Sequence, residues 1–148
     1  MIDLIIEDSN LHPSLFVWRG GVPLPEIEKW ERKQLVSVPD DVRELWSTKG
    51  GGDLFESETI LQPQGSDEDD LVLPRSEWFW GKGLDSNCYV FHEGLYVSIF
   101  RGADNLLLCL NGSTFSEVGR FRTLDDWYLS LRAEYGDRYG LPPLRGGG

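Results

Sequence analysis

The chain offers few side chains that could carry out chemistry, and the first pair to consider is a cysteine and a histidine. Cys88 and His92 lie four residues apart in NCYVFHE, a run that predicts a β-strand. A thiolate activated by an imidazole is a common enzymatic nucleophile. Side chains at i and i+4 of a strand share a face but stand about 13 Å apart along it. The spacing therefore does not favour a Cys–His dyad, and the other histidine, His12, is predicted to lie in an N-terminal loop.

Four consecutive acidic residues, DEDD at 67–70, invite a metal-site interpretation because carboxylates are ligands that Ca²⁺ and Mg²⁺ prefer. An EF-hand loop starting at Asp67 needs glycine at its sixth position and glutamate at its twelfth, where this chain has Val72 and Trp78. Four adjacent side chains also cannot all point at one ion. The run is therefore predicted to be a solvated loop, and the sequence indicates no metal, no cofactor and no catalytic residue.

Three glycines at 50–52 raise the question of a phosphate-binding loop. A Walker-type loop follows a strand, precedes a helix and ends in G-K-[ST]. Here the glycines follow a predicted helix and precede a predicted strand, and the next residue is Asp53, with more acids behind it. The pattern favours a helix cap and a tight turn, and we expect Gly51 or Gly52 to have a positive φ.

Composition and charge limit the function more than any motif does. The 148 residues carry a net charge of −11 and are 40 % hydrophobic, which fits one globular domain. Residues 1–74 hold 16 acidic and 6 basic side chains, whereas residues 75–148 hold 9 and 8. Such a field repels nucleic acid and anionic lipid and attracts basic partners, although it also favours solubility. We therefore expect a basic protein partner, no nucleic acid and no membrane.

The sequence also predicts where the chain resides. No apolar run approaches ~18 residues, so no membrane span is expected. The start, MIDLIIEDSNLHP, lacks the basic region and the length of apolar sequence that a signal peptide has. A cytoplasmic location is the expectation, and Cys88 and Cys109 are then predicted to be buried free thiols rather than a disulfide.

The elements that would position these residues begin with a predicted short strand, MIDLIIED. Two helices are predicted next, in PEIEKWERK and VPDDVRELWSTKGG, each with a proline in its first turn. In the second helix, Val42, Leu45 and Trp46 form one apolar face. FESETILQP then predicts a strand ahead of the acidic loop.

The second half of the chain predicts an antiparallel meander and a final helix. CYVF, LYVSIFR, LLLCL and TFSEVGRF predict strands, joined by turns at HEG, GADN and NGS. TLDDWYLSLRAEYG predicts a helix with Thr123 as N-cap and Gly136 as C-cap. Its buried stripe is predicted to be Leu124, Trp127, Tyr128, Leu131 and Tyr135. Residues 136–148 predict a fraying tail.

Two tryptophans, Trp78 and Trp80, lie in EWFWGKG, the segment that leads into the meander. In an extended segment they would share one face, with Phe79 opposite. Large aromatic side chains anchor both cores and interfaces. The pair is therefore predicted to be either part of the core or part of a binding surface.

With these elements in place, IEKWERKQLVSVPDDVRELWSTKGGGDLF resembles the opening of the SUKH superfamily, the Smi–Knr-like proteins of yeast cell-wall regulation and bacterial immunity. The family pattern is a helix with spaced glutamates, an LP-E/D-D/E segment (here VPDD), a second helix, a Gly-rich turn and a short strand. The matching positions are Glu28 and Glu31, the apolar face Val42, Leu45 and Trp46, the turn Gly51 and Gly52, and the aromatic Phe55.

The resemblance extends to GLYVSIF, NLLLCLNG and TLDDWYLSLRAEY, and it covers residues 24–135. The chain departs from the family in three places. TKGGG lacks the usual Asn before the glycines, QGSDEDD obscures a strand, and the first residues of the chain have no counterpart.

The resemblance implies a single α+β domain over residues 1–148, with N-terminal helices, a twisted antiparallel sheet and a C-terminal helix packed on it. It also implies a non-enzymatic immunity protein that binds and neutralises a cognate toxin domain, often a nuclease. The charge distribution supports a basic partner, since no Lys or Arg lies between Lys49 and Arg75. The residues predicted to meet that partner are Asp53, Glu56, Glu58, Asp67, Glu68, Asp69, Asp70, Trp78 and Trp80.

Two other functions are compatible with the same sequence. One is a non-enzymatic adaptor or regulator of the Smi–Knr type, with a different protein partner. The other is a small enzyme with an unrecognised site. A toxin gene beside the gene for this protein would favour the immunity function over the adaptor function.

Overall fold

The computed structural model describes residues 1–102 and 104–144, which form six helices and seven strands. The helices are α1 (Asp3–Leu11), α2 (Leu24–Gln34), α3 (Asp40–Thr48), α4 (Val72–Trp80), α5 (Leu124–Ala133) and α6 (Gly136–Tyr139). The strands are β1 (Phe16–Trp18), β2 (Gly52–Leu54), β3 (Glu58–Ile60), β4 (Cys88–Glu93), β5 (Val97–Arg101), β6 (Leu107–Leu110) and β7 (Glu117–Phe121). Short 3₁₀ turns at Pro13–Leu15 and Glu68–Asp70 precede β1 and α4.

The strands lie in the sheet in the order of the sequence, and every neighbouring pair is antiparallel. Helix α5 packs on this sheet, where Trp127 Nε1 donates a hydrogen bond to Ser98 Oγ of β5 at 2.8 Å. Helix α4 lies along β4, and Ser76 Oγ accepts a hydrogen bond from the Val90 backbone N–H at 2.8 Å. The expected α+β fold, with N-terminal helices, an antiparallel meander and a C-terminal helix on the sheet, is confirmed.

The predicted stripe of the last helix is confirmed, because all five of its residues are buried. Thr123 is also the N-cap, and its side chain accepts a hydrogen bond from the Asp126 N–H. Aromatic rings continue the core around α3, where Trp46 meets Trp30 and Phe100 edge-on, with ring centroids 5.8 and 6.2 Å away. Burial of such large side chains is the main source of stability here.

The prediction of an N-terminal strand is wrong, since residues 3–8 of MIDLIIED lie in helix α1. Over so short a stretch, the spacing of the apolar residues fits both the period of a strand and the period of a helix. The deciding contact is distant: Asp8 is fully buried and forms an ion pair with Arg132 of α5 at 2.8 Å. A helix places Asp8 against α5, and the polar contact there satisfies a carboxylate that would otherwise be costly to bury.

The segment EWFWGKG does not have the extended conformation considered above, because α4 (Val72–Trp80) includes its first four residues. Pro74 stands in the first turn of α4, where its missing N–H costs no intrahelical bond. Residues two apart on a helix point about 200° apart. Trp78 and Trp80 therefore lie on different sides of α4 rather than on one face.

The glycine segment connects helix α3 to strand β2, as predicted, but the positive φ belongs to Gly50 (77°). The prediction of a positive φ at Gly51 or Gly52 is wrong. Both positions instead allow a close approach of strands. A Cβ at Gly51 would lie 2.5 Å from the Ile60 carbonyl oxygen, and one at Gly52 would lie 2.5 Å from that of Val17.

The end of the chain also differs from expectation. Helix α5 ends at Ala133, so Gly136 does not cap it but begins α6. The tail does not fray over 136–144, because Tyr139 stacks on Tyr135 with centroids 6.2 Å apart and Leu144 is buried. The remainder of the predicted tail, residues 145–148, lies outside the described residues.

Candidate protein-binding surface

A row of polar side chains crosses one face of the sheet from β2 to β4. Asp53 is paired with Thr59, and Thr59 with Glu93, at directly opposite strand positions. Opposite residues in antiparallel strands share a face. Asp53 Oδ1 accepts a hydrogen bond from Thr59 Oγ1 at 3.1 Å, which fixes the first pair. The row gives this face of the sheet two carboxylates, those of Asp53 and Glu93.

The acidic loop borders this row. An open groove of about 510 Å³ follows the row and is lined by Asp69, Arg75 and Glu93, with Ser57, Thr59 and Gly94. We call the carboxylates of this row, of the acidic loop and of the turn between β2 and β3 the acidic strip. Its members are Asp53, Glu56, Asp67, Glu68, Asp69, Asp70 and Glu93. Of these, Asp69 and Glu93 line the groove itself.

Arginines from other segments pair with part of the strip. Arg19 contacts Asp53 at 3.0 Å and Asp70 at 3.1 Å, so it ties the β2 row to the acidic loop. Arg138 lies 3.5 Å from the exposed Glu56. The window between Lys49 and Arg75 has no cation of its own, but the fold supplies cations from outside it. The expectation that this stretch lacks compensating cations is wrong for these three carboxylates.

Three carboxylates of the acidic loop have no such partner in the part of the chain that the structure describes, whereas Glu93 of the row is paired with Arg75. Within residues 1–102 and 104–144, Asp67, Glu68 and Asp69 form no ion pair. All three are exposed. Asp67 accepts a hydrogen bond from the Asp69 N–H at 3.0 Å, which holds the loop as a 3₁₀ turn. These side chains present negative charge to solvent from a defined backbone.

Trp78 joins the strip through a shared arginine. Its side chain is 49 % exposed, and the Arg75 guanidinium lies 4.9 Å from its ring centroid. Arg75 also forms two hydrogen bonds of 2.8 Å to Glu93, and these contacts raise the pKa of the guanidinium. Lys82 Nζ lies over the same ring at 5.3 Å. A half-exposed aromatic ring therefore lies at the edge of the acidic groove.

Trp80, predicted beside Trp78 as a core or interface residue, belongs to the core. Its Nε1 donates to the Cys88 carbonyl oxygen at 2.7 Å, and its ring meets Tyr89 edge-on at 5.5 Å. The ring is partly buried against the hydrophobic core. The sequence did not distinguish the two tryptophans because their separation depends on the helical state of α4.

Glu58 does not belong to the acidic strip, contrary to expectation. It is 1 % exposed, because Glu58 and Thr59 are neighbours on a strand and point to opposite faces. Glu58 accepts hydrogen bonds from the Leu95 N–H at 3.0 Å and from the Tyr135 hydroxyl, and it contacts His92 Nε2 at 2.7 Å. Burial alone would raise the pKa of Glu58, but these contacts outweigh it and hold the pKa below 4.5.

His92 links Glu58 to a serine in the order of a catalytic triad. Ser98 Oγ lies 2.8 Å from His92 Nδ1, a contact that the sequence does not indicate. Ser98 is fully buried, however, and its Oγ also accepts a hydrogen bond from Trp127. The cavity beside His92 measures about 10 Å³, room for roughly one water molecule. The arrangement joins β3, β4, β5 and α5, and leaves no space for a substrate.

Both cysteines are free thiols, as predicted. Cys88 is buried and Cys109 is half-buried. Burial raises the pKa of both thiols, which keeps them protonated and weakly nucleophilic.

Comparisons with known proteins add nothing to this geometry: no protein-family model matches the chain, and no curated protein does. Among the described residues, no three or more His, Cys, Asp or Glu side chains are grouped so as to hold a metal ion. In the same part of the chain, none of the helices has the length and hydropathy that a bilayer crossing requires. The acidic strip and Trp78 are therefore the surface features that bear on function.

Proposed function

We propose that this protein is a non-enzymatic immunity protein of the SUKH type, which binds and neutralises a basic toxin domain through the acidic strip and Trp78. The observation that carries the proposal is the placement of exposed carboxylates beside a half-exposed tryptophan on one surface. Nuclease toxins have basic clefts that bind phosphates. A surface of fixed carboxylates fits such a cleft in place of the nucleic acid.

The two parts of the surface have different roles in binding. Exposed charges such as those of Glu68 and Asp69 accelerate encounter with a basic partner and contribute little to the lifetime of the complex. A tryptophan that becomes buried on binding contributes mainly to that lifetime. Trp78 is 49 % exposed and is held in place by Arg75, so its ring is available without a large ordering cost.

Pairing within the strip favours a defined binding geometry. Arg19 and Arg75 hold Asp53, Asp70 and Glu93 in place before any partner arrives. A basic partner then needs only to add contacts to carboxylates whose positions are already set. Preorganisation of this kind reduces the entropy lost on association.

The alternative is an adaptor or regulator of the Smi–Knr type with a different partner. The same strip would attract any basic protein, so the surface chemistry is common to both functions. What separates them is the identity of the partner and the effect of binding on it.

The experiment is a pull-down with this protein as bait and the product of the adjacent gene as prey, followed by a toxicity assay. Capture of a toxic basic protein whose toxicity this protein suppresses is the expected result. A variant with Glu56→Lys, Glu68→Lys and Asp69→Lys, called the strip triple, should neither capture this partner nor suppress its toxicity. A control triple, Glu26→Lys, Glu28→Lys and Glu134→Lys, changes the net charge by the same amount at exposed positions elsewhere. It should still capture the partner and suppress its toxicity.

Two results would contradict the proposal. The first is a strip triple that captures and protects as well as the control triple does. The second is a hydrolase activity of the purified protein that disappears in Ser98→Ala, because it would assign an enzymatic role to the buried Glu58–His92–Ser98 chain.

A further inference from the structure

A second groove, of about 630 Å³, lies between helices α1 and α3. Its apolar lining comes from Ile2, which is buried, Ile6, which is half-buried, and Leu11, which is 59 % exposed. Its charged lining comes from Asp3, Glu7 and Glu44. None of the residues that line this groove is basic. The groove therefore combines an apolar floor with a rim of a single charge.

The lining residues follow helical geometry. Ile2 and Ile6 lie four residues apart, and so do Asp3, Glu7 and Leu11, so α1 presents two parallel rows to the groove. Rows at this spacing form the ridges between which a neighbouring helix packs its own side chains. Two helices with such rows accept a third helix laid along them. The shape of the groove thus fits a helix rather than a small molecule or an extended strand.

The carboxylates of the rim are unpaired. In the described part of the chain, Asp3, Glu7 and Glu44 take part in no ion pair and no side-chain hydrogen bond. Burial raises the pKa of Asp125 on the neighbouring α5 and repulsion from Asp3 and Asp41 adds to the rise, although the N-terminal ammonium, which is paired with Asp41, and the Leu4 N–H act in the opposite direction. A cationic side chain placed at this rim would relieve that repulsion.

The groove lies on the other side of the sheet from the acidic strip. Helix α1 is held on α5 by the pair between Asp8 and Arg132. Just beyond the C-terminus of α5, Tyr135 contacts Glu58, whereas the Asp53–Thr59–Glu93 row of the strip lies on the side to which Thr59 points. Because neighbouring strand residues point to opposite faces, the two surfaces are separate. The inference therefore goes beyond the proposed function and does not depend on it.

We propose that the α1–α3 groove binds one amphipathic helix of a partner protein, with an apolar stripe flanked by Lys or Arg. The nine residues of α1 span about 13.5 Å, so a helix of about three turns covers the groove. Its apolar stripe lies on Ile2, Ile6 and Leu11, and its cations meet the carboxylates of the rim. A second copy of this chain is disfavoured as occupant, because apposed grooves would bring Asp3, Glu7 and Glu44 against like charges.

The test uses a synthetic peptide of about 18 residues, which makes about five helical turns and so exceeds the three turns that the groove accommodates. The peptide is built from Leu and Lys with Leu at i, i+3, i+4 and i+7. A peptide of equal composition in scrambled order is the probe for charge alone. Binding is measured by fluorescence anisotropy with the full-length protein. A groove triple, Asp3→Lys, Glu7→Lys and Glu44→Lys, is compared with the control triple defined above.

The expected result is binding of the patterned peptide at least about tenfold tighter than the scrambled one, and a loss of about tenfold or more in the groove triple but not in the control triple. Circular dichroism melts establish that both triples fold. Leu11→Asn, at an exposed position, is a second variant. It should weaken binding of the patterned peptide although it does not change the charge of the protein. Equal binding of both peptides, or equal losses in both triples, would overturn the proposal. So would a dimer in sedimentation that Leu11→Asn dissociates, because the occupant would then be a second copy.

Discussion

Leu35 ends helix α2 with a backbone conformation that leucine rarely adopts. Its φ is 54° and its side chain is 92 % exposed. The left-handed region costs a residue with a Cβ about 1 kcal/mol, and glycine carries no such cost. The exposed side chain gains almost no burial in return. Leu35 is therefore a strained position that contributes no packing to compensate.

We expect Leu35→Gly to raise the free energy of unfolding by about 0.5–1 kcal/mol, because it removes the strain and loses little buried area. Urea denaturation measures the change. Leu95→Gly is the matched control, since Leu95 is also an exposed leucine in a turn but has no positive φ. Glycine there should lower the stability. An equal loss in both variants would show that the strain at Leu35 is absent in solution.

Glu58 predicts a specific dependence of stability on pH. Its pKa is lowered in the folded state, so its contribution is complete above the unfolded value of 4.5 and is lost as the pH falls through the folded pKa. Glu58→Gln removes this titration. We expect the free energy of unfolding of the variant to fall less than that of the wild-type protein between about pH 5 and about pH 3.

Chemical denaturation at a series of pH values measures this difference. Glu56→Gln is the control, because Glu56 is exposed two residues away and its replacement should leave the pH profile unchanged. Parallel profiles for the wild-type protein and Glu58→Gln would contradict the role assigned to the buried carboxylate.

At the scale of elements, the glycine turn after α3 determines how closely two segments approach. Gly50 has a φ of 77°, and a Cβ there would lie 2.1 Å from the Gly20 carbonyl oxygen. Gly83 has a φ of 110° but no atom within 4 Å of such a Cβ. The two positions therefore separate backbone strain from steric overlap.

We expect Gly83→Ala to cost about 1 kcal/mol, from backbone strain alone. Gly50→Ala should cost clearly more, because the backbone of residue 20 must also move. Thermal or urea unfolding of the two variants gives the comparison. Equal losses of stability in the two variants would mean that the backbone at Gly20 moves at no cost. The turn at Gly50 would then not determine how closely it approaches the loop at Gly20.

Helix α4 separates the two tryptophans that the sequence groups together. Trp80→Ala should lower the free energy of unfolding by about 2–3 kcal/mol, since its ring packs on Tyr89 and the core. Trp78→Ala should change stability by less than about 1 kcal/mol. In a complex with the proposed basic partner, Trp78→Ala should instead raise the dissociation rate. The opposite pattern, with Trp80 controlling dissociation, would place the binding face elsewhere.

Local patterns predicted some of these elements and missed others for identifiable reasons. The stripe of α5 and its cap at Thr123 are encoded within ten residues, so periodicity and capping were sufficient. Helix α1 was missed because Asp8 is satisfied by Tyr128 and Arg132, which are distant in sequence. No local signal indicates such a contact.

At the scale of the whole molecule, the unequal distribution of charge was visible in the sequence, but its compensation was not. Arg19 lies outside the window that has no Lys or Arg, yet it contacts Asp53 and Asp70 within the fold. The sequence groups Glu58 with the surface acids, because alternation along a strand does not show which of its two faces is buried in the sheet. The groove between α1 and α3 was not foreseen, since it depends on the helical state of the first residues.

The central claim, that a basic partner binds at the acidic strip, is tested most directly by the association rate constant. Stopped-flow mixing with the captured partner, at low and moderate salt, compares the wild-type protein, the strip triple and the control triple. The strip triple should associate about tenfold or more slowly than the control triple at low salt, with a weaker dependence on salt. Equal rate constants and equal salt dependence for the two triples would contradict the claim, because the acidity would then act only through net charge.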